Sequence, residues 1–367
     1  MAPLCRQVYP SWTSLPLSIF SQAAKLSPAS LVIKSLSAFS SSSASDGAVI
    51  VTRFRSTTRA VSPLDILGRS ASPSIKLIRD TASPCKSTGI SSRKNARKSS
   101  VIFAAMRTEG TTIIRAKKSR NHTELLCKHL KLPIIIKNSK NFDEIKIKKV
   151  KKINTLNYDI PSDISSSAFF IVLTALSKNS ELIIKNVNIN PSRIGIITIL
   201  KKMGVRIIFK NQKTYKGEKK ADIKVVSAKN IKAINCPPRL NSGAIDEFLV
   251  IFLVAAKAKG ISYFSNLNEL NQKESPRLEW AKKILNKIGV KTISTKDSIK
   301  IFGNPDLNLD LNKKIIIKNY LKDHRVFMTS VIAALTFGGN WKIHDKDSIK
   351  TSFPNFLKII NKLKNND

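Results

Sequence analysis

The sequence predicts an α/β fold assembled from repeated units, with parallel and antiparallel strands covered by helices. Two observations predict it. Apolar runs of helical period alternate with short β-branched runs from residue 101 onward, and their order recurs. One unit places a helix at 167–176, a stop at Asn179, a strand from 181, a second helix at 194–203, then Gly204 and a strand from 205. A second places a helix at 246–256, Gly260, a strand at 261–264, a helix at 277–288, then Gly289 and Val290. A third places a helix at 325–335, Gly338 and Gly339, a strand from 341 and a helix at 353–363. A partial fourth copy lies at 101–106, Gly110, 111–114 and 122–130. Gly or Asn after each helix supplies the left-handed residue that ends it. The period is about 70–80 residues, longer than solenoid repeats, so three full copies predict a closed three-fold domain.

The 367 residues carry a formal charge of +40. Such a charge attracts anions of every kind. Much of the Lys lies among Ile and Asn, which reads as a compositional habit, so nucleic acid is not expected as the partner. The four cysteines, Cys5, Cys85, Cys127 and Cys236, are far apart and form no C-x-x-C pair, so neither a metal site nor a disulfide framework is predicted. The longest apolar run, 248–258, is too short to span a bilayer and reads as a buried helix.

Residues 1–100 differ from the rest. They are rich in Ser, Arg, Ala and Pro, contain Ser40-Ser41-Ser42-Ser43, and have only Asp46, Asp65 and Asp80 as acids. That composition fits either an organellar transit peptide or a disordered extension without an address. Without a sustained period, no structure is assigned to it.

Five polar clusters fall at helix starts or loops of the repeats. In Ser119-Arg120-Asn121-His122-Thr123-Glu124, the polar residues before Glu124 are able to cap a helix, and Arg120 to fork a phosphate or carboxylate. Pro161-Ser162-Asp163-Ile164-Ser165-Ser166 reads first as an N-cap at Asp163. Asp246-Glu247 opens the most apolar helix, as a cap or as a general base. Lys273-Glu274-Ser275-Pro276-Arg277 is a polar loop ending in a proline that starts a helix. Asp323-His324-Arg325 places Arg325 where it would suit an anion, while a lone His324 is more often structural. Together they describe a cationic anion site with one or two carboxylates. No P-loop, Ser–His–Asp order or His/Cys metal spacing is present.

These clusters, joined by Asn190-Pro191-Ser192-Arg193 and Ser352-Phe353-Pro354 in the same order, resemble the 5-enolpyruvylshikimate-3-phosphate synthase family over about residues 101–363. The resemblance implies the enolpyruvyl transferase fold, an inside-out α/β barrel of βαβαββ units in two domains. It divides the chain into an extension at 1–100, part of the first domain at 101–159 and the second domain at 160–367. It implies transfer of the enolpyruvyl group of phosphoenolpyruvate to shikimate 3-phosphate with release of phosphate, without metal or organic cofactor, membrane or nucleic acid. By the same resemblance Asp246, Glu274 and Lys273 are catalytic. Asp246 accepts a proton from the 5-hydroxyl, Glu274 shuttles one at the methylene, and Lys273 supports both steps. Ser119 and Arg120 face shikimate 3-phosphate, and Arg277, Arg325 and His324 hold phosphoenolpyruvate.

The chain departs from the family pattern at Ser162, Leu249, Pro276 and Phe327. The family's Lys-Ser…Arg, Gly-Asn-Ala-Gly-Thr and Ser-Ala-Gln segments have no counterpart in residues 1–100. A catalytically silent relative is therefore the alternative, and composition alone leaves a basic nucleic-acid-binding protein as a second. Localisation follows the extension: a plastid if it is a transit peptide, the cytoplasm if it is not.

Overall fold

A computed structural model describes residues 30–35, 76–80, 98–139 and 142–364. The transit-peptide reading falls mostly outside these residues.

The helix–strand–helix–hairpin order is met three times in full. Helix α1 (Lys98–Ala105), β3 (Thr111–Lys117), α2 (His122–His129), β4 (Ile134–Asn138) and β5 (Phe142–Lys148) form the first unit. Helix α3 (Ile164–Leu176), β6 (Ser180–Asn188), α4 (Gly195–Lys202), β7 (Arg206–Tyr215) and β8 (Glu218–Val226) form the second. After a short helix α5 (Asn241–Ala244), the third comprises α6 (Phe248–Ala256), β9 (Gly260–Phe264), α7 (Arg277–Lys287), β10 (Thr292–Ser294) and β11 (Ile299–Gly303). The last unit, β12 (Leu309–Ile317), α8 (His324–Phe337), β13 (Gly338–Ile343) and α9 (Phe356–Lys364), has no closing hairpin among the described residues. The copy expected to be partial is thus complete, and one expected to be complete is short. Its β12 and β13 pair in parallel as a two-stranded sheet, and Leu311 on β12 is 79 % exposed.

Strands β6, β8 and β7 pair antiparallel, as do β9, β11 and β10, and β3, β5 and β4. The start of each later unit joins in parallel, with Ser162 opposite Val187 and Asn235 opposite Tyr263. The sequence reading assigned no structure before residue 101. The backbone instead places β1 (Ser30–Ser35) antiparallel to β6, β2 (Lys76–Asp80) antiparallel to β3, and the start of α1 at Lys98. An open sheet edge offers unpaired N–H and C=O groups, so a short aliphatic segment with no periodic neighbours still pairs there. The boundary drawn at residue 100 therefore moves back into the extension.

Helices α3, α6 and α8, one from each of the last three units, pack on one another in the middle of the core. All nine residues of α6 are buried, as apolarity around the whole helix requires. Phe252 meets Phe264 edge-on at 5.0 Å between centroids, and Phe170 meets Phe353 at 6.0 Å. The later helices are amphipathic. In α7, Leu278, Ala281, Ile284 and Leu285 face in while Lys283 and Lys287 face out. Helices in the centre and sheets outside give the inside-out arrangement. The first unit keeps its own core around Ile102, Ile114, Ile145 and Ile147. Stops fall where the sequence reading put them, with Asn179 at φ +45°, Gly204 at +94° and Gly289 at +82°. Gly195 has a different reason to be glycine, since a Cβ there would lie 2.6 Å from the Gly243 backbone.

Cys127 and Cys236 are buried free thiols, and burial pushes them up to about 12 and about 11. They are held as unreactive thiols. No helix of the described residues is long and apolar enough to cross a membrane.

Candidate active site

The three central helices start beside one another, and their first residues build the site. Asp163 caps α3 by accepting from the Ser166 N–H at 2.9 Å, as the sequence reading favoured. Asp323 caps α8 by accepting from the Arg325 N–H at 2.9 Å. Glu247 stands at the cap position of α6 without making a cap bond. Free N–H groups and aligned peptide dipoles make such helix starts positive. Side-chain cations add to that field.

Asp246 is the meeting point. Its carboxylate lies 2.5 Å from Arg120 Nη2, 3.4 Å from Lys273 Nζ and 3.5 Å from Arg277 Nη1. Arg325 Nη1 donates to the Asp246 backbone carbonyl at 2.8 Å. Four cations, Arg120 from the first unit, Lys273 and Arg277 from the third and Arg325 from the last, therefore converge on one acid that is 15 % exposed. Burial alone would raise Asp246, but Arg325, Arg120 and Lys273 outweigh it and hold the acid well below the usual carboxylate range. Asp246 is no cap, which settles one of the two readings of its motif. Lys273 also reaches Glu269 at 3.0 Å.

Arg277 is placed by sequence and fixed by burial. Its Nε and Nη2 meet Asp323 at 2.9 and 3.3 Å, and it also pairs with Glu274. Ser275 Oγ donates to the same Asp323 carboxylate at 2.8 Å. Arg277 is 1 % exposed and Asp323 0 %, while Glu274 is 54 % exposed at the rim. Arg277 thus stands behind the cluster with its guanidinium already occupied.

A buried layer lies beneath. Arg193 donates to Asp163 Oδ1 at 2.9 Å and to Ser165 Oγ at 2.7 Å, and Ser165 donates to Glu247. Glu247 lies 3.8 Å from Arg325. Burial and the neighbouring Asp246 raise Glu247, against Arg325 and Arg193.

His324 is the first residue of α8. Burial and then Arg325 lower its pKa from 6.5 to about 4, so it is neutral near pH 7. The unfolded chain takes up this proton near pH 6.5 and the folded chain resists until about 4, so stability falls as pH drops through that window. His324→Gln is expected to shrink the loss of unfolding free energy between pH 7 and pH 5 by roughly 1–2 kcal/mol, read by urea denaturation. An unchanged loss would place the proton uptake elsewhere.

Asp246, Lys273, Arg277, Arg325 and Arg120 thus come together, Glu274 is joined through Arg277, and Ser119 is exposed next to Arg120. Asn121 does not cap its helix as its motif suggested. Its Oδ1 accepts from Asn190 Nδ2 at 2.9 Å, between the first unit and the second. Sequence reasoning missed Asp323, Glu247 and Arg193 as site supports. Arg193 enters the sequence reading only as part of the motif Asn190-Pro191-Ser192-Arg193.

Residues 88–360 match the family EPSP synthase (3-phosphoshikimate 1-carboxyvinyltransferase). The chain belongs to the EPSP synthase family. It is 37 % identical over 269 residues to the 3-phosphoshikimate 1-carboxyvinyltransferase of Hydrogenovibrio crunogenus, which covers 72 % of this chain and 58 % of that protein. The EPSP synthase structure from Acinetobacter baumannii superposes with a TM-score of 0.65 at 31 % identity, covering 71 % of this chain and 58 % of that one. The enolpyruvyl transferase NikO from Streptomyces tendae shares the fold, with a TM-score of 0.53 at 14 % identity, over 71 % of this chain and 57 % of that one. The chain spans somewhat under two thirds of the length of these relatives. The enolpyruvyl transferase fold expected from the sequence is thus the one found.

Proposed function

We propose that this chain supplies the catalytic cluster for transfer of the enolpyruvyl group of phosphoenolpyruvate to the 5-hydroxyl of shikimate 3-phosphate, with loss of phosphate. The observation that carries it is the convergence of Arg120, Lys273, Arg277 and Arg325 on Asp246. Two phosphorylated substrates repel each other, and fixed cations at positive helix starts offset that repulsion. Holding both reactants side by side removes most of the entropic barrier.

In the reading, Asp246 takes the proton of the attacking 5-hydroxyl. The hydroxyl oxygen bonds to the enolpyruvyl carbon while the methylene gains a proton, delivered through Glu274 and Lys273. Elimination then returns the methyl proton to Glu274 and Lys273 and breaks the C–O bond to phosphate, which leaves with the proton that Asp246 took from the hydroxyl, so no net proton is kept by the chain. The geometry supports an order of events. With its cations facing it, Asp246 is a weak base. Substrate phosphate and carboxylate groups drawing Arg120, Lys273 and Arg325 away would raise its basicity, so it becomes a base only once loaded. Arg277 keeps its buried partner and acts as the fixed wall behind the phosphoenolpyruvate end, while Arg325 and neutral His324 face that substrate.

The test is phosphate release with both substrates present, against controls lacking either one. Release that requires both supports the reading, and binding of both without release leaves the silent relative. That second reading is favoured by one observation, the departures from the family pattern at Ser162, Leu249, Pro276 and Phe327. Tight binding of generic DNA that survives physiological salt would instead revive the nucleic-acid alternative. Import into a plastid is proposed only if the mature protein begins downstream of residue 1, which N-terminal sequencing reads directly.

A further inference from the structure

The β7–β8 hairpin ends in a tight turn at Lys216 and Gly217, both with positive φ. A Cβ on Gly217 would lie 2.8 Å from the Leu125 carbonyl oxygen of α2, so the turn of the second domain rests directly on a helix of the first-domain segment. The next residue, Glu218, is 8 % exposed. Its carboxylate meets His122 Nδ1 at 2.5 Å, Asn188 Nδ2 at 3.2 Å and Asn190 Nδ2 at 3.1 Å. The same Asn190 Nδ2 donates to Asn121 Oδ1 at 2.9 Å. Asn190 itself is held from its other side, its Oδ1 accepting from the Ser192 N–H and Oγ at 2.8 Å each. His122 Nε2 is buried with no hydrogen-bond partner among the described residues, so the ring is anchored through Nδ1 alone. Asn121 and His122 directly follow Arg120, whose guanidinium sits on Asp246.

We infer that Glu218 is a positioning residue: through His122, Asn190 and Asn121 it clamps the segment 119–123 and so aims Arg120 at the Asp246 cluster. Among the described residues, none of the Glu218 partners touches Asp246, and its carboxylate is met by three donors. It acts through Arg120 rather than on substrate. The three hydrogen bonds, the His122 one above all, also hold Glu218 ionised despite its burial. The alternative, a structural tie between two packed surfaces, would leave Arg120 indifferent to the loss of Glu218.

The substrate side of this inference rests on the proposed function, and the experiment separates the two. Hydrogen–deuterium exchange of the full chain is compared in the parent, Glu218→Ala and Glu218→Gln. Amides at 119–123 are expected to exchange about tenfold faster in Glu218→Ala, with 248–256 unchanged. Glu218→Gln, which keeps an oxygen for Asn190, is expected to restore much of the protection. Parent-like exchange in Glu218→Ala overturns the inference, whatever any ligand does. Calorimetry with shikimate 3-phosphate then reads the link to Arg120. Glu218→Ala is expected to weaken binding about tenfold, and to add nothing further in an Arg120→Ala background. Additive losses sink the link. A parent chain that binds no shikimate 3-phosphate sinks the proposed function instead, and exchange alone then decides the clamp.

Discussion

Asp246→Ala is expected to lower substrate-dependent phosphate release by about 10²–10⁴-fold, the usual contribution of a positioned base. Binding of shikimate 3-phosphate should stay the same or tighten. The asymmetry follows from the geometry. In the unliganded chain Asp246 competes with the substrate for Arg120, at 2.5 Å, and for Lys273, at 3.4 Å. Removing it frees those cations for anions and removes the one acid they share among the described residues. A purely structural residue would lose both properties together. The pH profile adds a second reading. Asp246 is held well below the ordinary carboxylate range, so in the free chain it stays ionised down to acid pH. The dependence of kcat/KM on pH, which reports the free enzyme, should therefore show no Asp246 limb near pH 4–5. Release within tenfold of the parent in Asp246→Ala would remove Asp246 from the chemistry.

Asp323→Ala is expected to cost about 3–5 kcal/mol of stability, the range for stranding a buried charge. Asp323 is fully buried and accepts from Arg277 twice, from Ser275 and from the Arg325 N–H. Without it Arg277, 1 % exposed, keeps only the half-exposed Glu274 and Asp246 at 3.5 Å. The helix also loses its cap, which accounts for about 1 kcal/mol of the total. Asp323→Asn keeps the cap and should cost less. Adding Arg277→Met to Asp323→Ala should recover stability, because the stranded charge is gone. The sign with pH is fixed. Burial raises Asp323 but Arg277 outweighs it, so its folded value lies below the unfolded one. Its contribution is present above about pH 4 and is lost as pH falls through the folded value. Denaturant unfolding of the three variants reads all of this, and a loss under 1 kcal/mol for Asp323→Ala would contradict the account.

Local physics explains what was legible in the chain. Helix and strand periods, and left-handed stops such as Asn179 and Gly204, are short-range signals, so the repeat could be read directly. So could the cap at Asp163, whose partner lies three residues away. The polar clusters announced a cationic anion site by their composition, but which of their residues meet was legible only through the resemblance. Arg277 and Asp323 are 46 positions apart, and no local rule pairs them. Asn121 looked like a cap because its neighbours fit one, yet a long-range partner, Asn190, takes its side chain. The strand Lys76–Asp80 was missed for a related reason. A five-residue strand is defined by the edge it joins, which its own sequence does not announce.

The central claim is that cations from successive copies of one folded unit gather two phosphorylated molecules around Asp246. Calorimetry of the full chain with shikimate 3-phosphate, followed by phosphoenolpyruvate, tests it most directly. The account predicts saturable binding of both ligands at one site each, and a Lys273→Ala/Arg325→Ala chain that binds phosphoenolpyruvate about 10²–10⁴-fold more weakly, given roughly 1.5–3 kcal/mol for each lost charged hydrogen bond. Equal affinity in the parent and the double variant would contradict it.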